Sequence, residues 1–136
     1  MEKRNKIIYW IATIWLSLGM LSTGVVQLLK LKGDGPGSLD SMTHLGYPAY
    51  FVTLLGIAKI LGVFALLLPA GRQVFLNLLR EWAYAGFFFL MSGAIFTHIA
   101  AGNSIGEIFP SLLLLILTVV SWYFRPADRK LILANQ

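Results

Sequence analysis

Four long apolar runs, at about 7–29, 50–68, 82–101 and 108–124, decide what this chain can fold into. A helix needs roughly 20 apolar residues to cross about 30 Å of hydrocarbon, and each run meets or approaches that length. None alternates with the period of two that a porin-type strand would show. Backbone polar groups in lipid must be satisfied within the segment, so helices are the structure these runs can form. The expected fold is therefore all-α: an integral membrane four-helix bundle with one domain over 1–136.

Composition agrees. Hydrophobic residues make up 57% of the 136 and charged residues only 12%, with a mean hydropathy of +0.74. About 25% charged residues is usual for a soluble domain, so this chain has too little polar surface to cover a soluble globule. The net charge of +5 is carried by residues flanking the apolar runs, which is a topology signal rather than a nucleic-acid patch. The run after Lys3, Arg4 and Lys6 is too long for a signal-peptide core, so it is read as a retained helix.

Lysine and arginine also set the orientation. Lys3, Arg4, Lys6, Arg72, Arg80, Arg125, Arg129 and Lys130 fall on the side of the termini and the second connection, against Lys30 and Lys32 opposite. The positive-inside rule then places both termini and the 69–80 connection in the cytoplasm. Trp10, Trp82, Trp122 and Tyr123 fall near the expected interfaces.

The connections carry their own signals. In the first outer loop, Gly33, Gly35, Pro36 and Gly37 break the first helix. Ser38 and Gly46 then bracket a short helix carrying Met42 and His44, with Pro48 opening the second span. This short helix is expected over the outer mouth of the bundle. Residues 72–79 are amphipathic, suiting either an interfacial segment or a downward extension of the third span. Ser104 and Glu107 have capping-box spacing.

The polar residues inside the runs are the candidates for function. Lys59 sits near the middle of the second span, where a lysine costs about 2.5–3.5 kcal/mol on insertion scales. Such residues pair, face a cavity, or carry function. Gly56 and Gly62 flank Lys59 at i−3 and i+3, so that face is narrow enough to pack against neighbours and turns Lys59 inward. At 1.5 Å per residue Lys59 lies roughly 13 Å below the outer end of its helix, and its side chain snorkels outward from there. Gln27 and Thr23 on the first span, and His98 and Thr97 on the third, lie near the same outer ends. Together with Asp40 and His44 from the short helix and Glu107 from the fourth span, they form a candidate polar cluster.

Each has a structural reading too. Lys59 can be a satisfied core residue, His98 an interfacial histidine, Gln27 and the threonines interhelical hydrogen-bond residues, and Glu107 a cap. Glu81 suits an ion pair with a basic neighbour, and Gly86, Gly93 and Ala94 suit helix packing.

Several chemistries have no basis in the residues. Cysteine is absent, which removes disulfides, thiolate nucleophiles and iron–sulfur ligation from this chain. There is no metal-ligand spacing, Walker loop, dinucleotide fingerprint or nucleophile elbow.

Certain strings do carry a likeness: HLGYP at 44–48, LGIAKILGVFALLLP at 55–69, REWAYAGF at 80–87, SGAIFTHIAAG at 92–102 and VSWYFRP at 120–126. Together they resemble the DoxX-like family of small bacterial membrane proteins over nearly the whole chain. The EWAYAGF string followed by GA-x-x-x-H is the most specific element. The resemblance implies a four-helix inner-membrane protein. The wider DoxX group includes a subunit of a thiosulfate:quinone oxidoreductase and members linked to oxidative-stress responses. It also implies that Lys59, Glu81, Trp82, Tyr84 and His98 are motif positions, with no established catalytic role attached. Leu90 departs from the pattern, because relatives carry an acidic or amide residue there that could pair with Lys59.

The expected function is an accessory subunit, without independent catalysis, that binds quinone or another small hydrophobic molecule and supports redox or stress-response partners. The residues expected to line the ligand site are Lys59, His98, Gln27, Thr23, Thr97, Glu107, His44, Trp82 and Tyr84. A lipid-binding or assembly scaffold is the main alternative, a small transporter the lesser one. Membrane lipid, and a second copy of the chain in a homo-oligomer, complete the expected partners, with nucleic acid excluded.

Overall fold

The computed structural model describes residues 2–30, 38–68, 74–126 and 129. These form five helices: α1 (Glu2–Leu28), α2 (Leu39–His44), α3 (Ala49–Leu66), α4 (Val74–Ala100) and α5 (Ile105–Tyr123). All but α2 are long and apolar enough to cross a membrane. The spans pack in a ring, α1 against α3, α3 against α4, α4 against α5, and α5 back against α1.

The expected third span begins at residue 82, whereas α4 begins at Val74. Within 72–79, the described residues from Val74 onward thus continue the helix instead of lying across it. The Gly33–Gly37 cluster and residues 69–73 lie outside the described residues.

Glycine sets the closest approach. A Cβ on Gly56 would lie 2.5 Å from the Leu28 backbone nitrogen and 2.6 Å from the Gly24 carbonyl oxygen. The α1 and α3 backbones therefore touch, as small residues allow between helices in lipid. A Cβ on Gly62 would meet the Phe87 ring at 2.6 Å, which fixes α3 against α4. Gly86 and Gly93, expected to serve packing, do not: a Cβ on either would meet nothing within 4 Å. Gly86 is exposed, and Gly93 borders open space.

The end of the bundle nearest the chain termini is closed by buried polar contacts. Thr13 and Ser121 share a 2.6 Å hydrogen bond, and Tyr84 and Ser121 one of 2.7 Å. Arg80 is fully buried and donates to the Leu66 and Leu68 carbonyls and to the Asn77 side chain. Arg129 donates to the same Leu66 carbonyl and to the Tyr9 hydroxyl, each at 3.4 Å, and lies 4.7 Å from the Trp10 ring centre. The last carbonyls of a helix have no partner within it. Here two guanidinium groups supply that partner for α3.

Gly56→Ala is expected to destabilise the protein by about 1–3 kcal/mol, because backbone must move to admit the methyl group. Gly86→Ala is expected to be neutral or slightly stabilising. Unfolding curves in detergent for the two variants check both; equal losses would contradict this packing.

Candidate functional site

The opposite end of the bundle, under α2, is open. A cavity of about 850 Å³ lies between the C-terminal halves of α1 and α4 and the N-terminal halves of α3 and α5. Its walls are mainly apolar, including Phe51, Leu55, Phe89, Leu90, Met91, Ala94 and Leu114. The polar residues converge from every element.

Lys59 forms one side of the cavity at mid-span and is only 6% exposed. Its ammonium donates to the Thr23 hydroxyl at 3.2 Å. That hydroxyl spends its own hydrogen on the backbone of α1, at 3.0 Å to the Gly19 carbonyl and 3.3 Å to that of Met20. Its lone pairs are thereby left for the lysine. An ammonium has three donors, and among the described residues Thr23 takes one of Lys59's. No carboxylate forms an ion pair with Lys59 among the described residues.

Gln27 stands one turn beyond Thr23 on α1, lines the same cavity and is 2% exposed. Among the described residues its side-chain oxygen has no hydrogen-bond partner. On α5, Gly106 and Pro110 also line the space. Proline has no N–H to give the carbonyl four residues before it, so the Gly106 oxygen lacks its helical partner. A donor from Lys59 and an acceptor from Gln27 thus edge one apolar chamber.

At the mouth, His98 Nδ1 and the Asn103 amide are 2.7 Å apart. Gly102, at φ +74°, turns the chain after α4 so that Asn103 comes back to the histidine. The Tyr47 hydroxyl and Thr97 share a 2.8 Å hydrogen bond, and the Tyr47 ring stacks on Phe51 with centres 5.3 Å apart. This ties the start of α3 to the end of α4. Glu107 and His44 are exposed and line the rim, as does Asp40. The Ser104 side chain makes no capping bond, so the capping-box spacing of Ser104 and Glu107 is not used for one; the Ser104 carbonyl accepts the Glu107 N–H at 3.0 Å instead.

Seven of the residues picked out from the sequence therefore line one space: Lys59, His98, Gln27, Thr23, Thr97, Glu107 and His44. Trp82 and Tyr84 do not. Trp82 points outward at 62% exposure, and Tyr84 is buried in the hydroxyl network with Ser121 at the other end. Glu81 pairs with Arg125, two residues beyond the end of the neighbouring α5, at 2.8 Å and accepts from Trp122 Nε1 of that helix at 3.1 Å. Sequence reasoning passed over Tyr47, Phe51, Asn103 and Ser111, all of which line the cavity. The aromatic pair before and after Pro48, and a polar residue directly after a glycine turn, were the available signals.

The profile of the DoxX-like family matches residues 11–121. The chain belongs to the DoxX-like family. The match spans α2, α3 and α4 entirely, the last two-thirds of α1 and nearly all of α5, and it includes every cavity residue named above. No curated protein and no solved structure matches the chain.

Thr23→Val is expected to lower stability by about 1–3 kcal/mol, because it strands a buried ammonium donor. Thr23→Ser, which keeps the acceptor, should retain most of it. Comparison of the two unfolding midpoints checks this; equal effects would show that the methyl group and not the hydroxyl matters.

Proposed function

We propose that this DoxX-like protein binds quinone or another small hydrophobic molecule in the cavity beside Lys59, as an accessory subunit of redox or stress-response partners in the bacterial inner membrane. The observation that carries this reading is the chamber itself. Ligand sites are typically 300–1,000 Å³, largely apolar, with a few converging polar groups. The 850 Å³ space has aromatic and aliphatic walls and one buried ammonium with donors to spare. Such a donor polarises or anchors a carbonyl oxygen, and charge-assisted hydrogen bonds are about twice as strong as neutral ones.

The test is extraction of bound molecules from the purified protein, followed by titration with a short-chain quinone. Wild type is expected to retain or bind the compound. Gly93→Leu should abolish binding while leaving the fold intact, since position 93 lines the cavity and a Cβ there meets nothing within 4 Å. Equal binding by wild type and Gly93→Leu would remove the cavity from the proposal. Equal binding by wild type and Lys59→Met would remove the lysine.

The same reading sets both termini in the cytoplasm and α2 on the outer face. Its support is the excess of Lys and Arg at the terminal end of the bundle. The lack of cysteine in this sequence makes labelling direct. A single cysteine at exposed Thr43 is expected to react with an impermeant maleimide on intact cells, and one at exposed Lys3 only after permeabilisation. The reverse pattern would invert the topology.

A further inference from the structure

The charge balance of the cavity says more than its size. Lys59 is nine-tenths buried at the middle of α3, and no carboxylate pairs with it among the described residues. The acidic residues lining the space are Asp40 on α2 and Glu107 in the first turn of α5, both at the rim. The histidines, His44 and His98, are also at that end, one at the last residue of α2 and the other in the last turn of α4. Among the described residues, the inner part of the chamber therefore holds one cation and no anion. An uncompensated charge in a medium of low dielectric carries a desolvation cost that a neutral ligand offsets only in part. A negatively charged group brought to Lys59 offsets it most, because the Coulomb attraction is strongest where water is excluded.

We propose that the preferred occupant is an apolar monoanion: a compact aromatic or aliphatic body bearing one carboxylate, seated with the carboxylate on Lys59. The Thr23 geometry favours this arrangement, since the hydroxyl fixes one ammonium hydrogen and leaves two for the two oxygens of a carboxylate. The body of the ligand lies against Phe51, Leu55, Phe89 and Leu114. The single cation lining the inner chamber matches a single negative charge. The proposal rests on the reading that the cavity is a ligand site, and names the chemistry it selects.

The experiment holds the ring constant and varies the head. Naphthoate, naphthamide and a methyl-naphthoquinone are titrated into the full-length protein in lipid nanodiscs, with empty nanodiscs as the blank. The expected result is naphthoate binding about tenfold or more tighter than naphthamide, the scale separating a hydrogen bond to a charged group from a neutral one. Lys59→Arg should keep that preference and Lys59→Met should lose it. If naphthamide binds as tightly as naphthoate while the quinone also binds, anion selection is overturned and the ligand site stands. If none of the three binds folded wild type, both fall. The comparison within wild type needs no variant, so a misfolded substitution does not spoil the test.

Discussion

An ammonium group halfway along a membrane span must be kept from the hydrocarbon, and Lys59 settles this by pointing into the bundle. Its stem is held where α1 and α3 touch: a Cβ on Gly24 would lie 3.1 Å from the Lys59 Cβ. The backbone contact at Gly56 thus does two things at once. It brings α1 close enough for Thr23 to accept from the lysine, and it excludes lipid from the same seam. A bulkier residue at either glycine would separate the helices and leave the charge facing hydrocarbon, which costs several kcal/mol.

The two ends of the bundle handle buried polarity in opposite ways. At the terminal end, Arg80 and Arg129 cover the last carbonyls of α3, and hydroxyls from α1, α4 and α5 meet at Ser121. At the α2 end, polar groups are collected but not consumed. Among the described residues, Lys59 has donors left over and the Gln27 oxygen is unpartnered. A satisfied network rigidifies a core, whereas surplus donors and acceptors around a void are what a ligand can complete.

The four spans were legible because lipid imposes a length and an apolar character that no local context can override. The inward turn of Lys59 was legible for a related reason, since flanking glycines and the cost of a lipid-facing charge point the same way. The contacts that depend on the rotation of one helix against another were not. Tyr84 reads as a motif residue near Trp82, yet one turns in to Ser121 and the other out to the surface. Arg80 reads as an interfacial charge, and only the fold reveals it folded back under the end of α3. Gly86 and Gly93 read as packing residues because glycine in a membrane helix usually is one; their open surroundings follow from which side α4 presents to α3 and α5.

The helix pair with least to hold it together at the cavity end is α3 and α4. Lower down, Gly62 receives the Phe87 ring; at the rim, the Tyr47–Thr97 hydrogen bond joins the two. Between these points the wall is made of Leu55, Leu90, Met91 and Ala94, side chains that lie against the void. Leu90 belongs to that stretch, and an aliphatic side chain there offers Lys59 no charged partner. Among the described residues no carboxylate pairs with the lysine, which leaves it available to whatever enters the chamber.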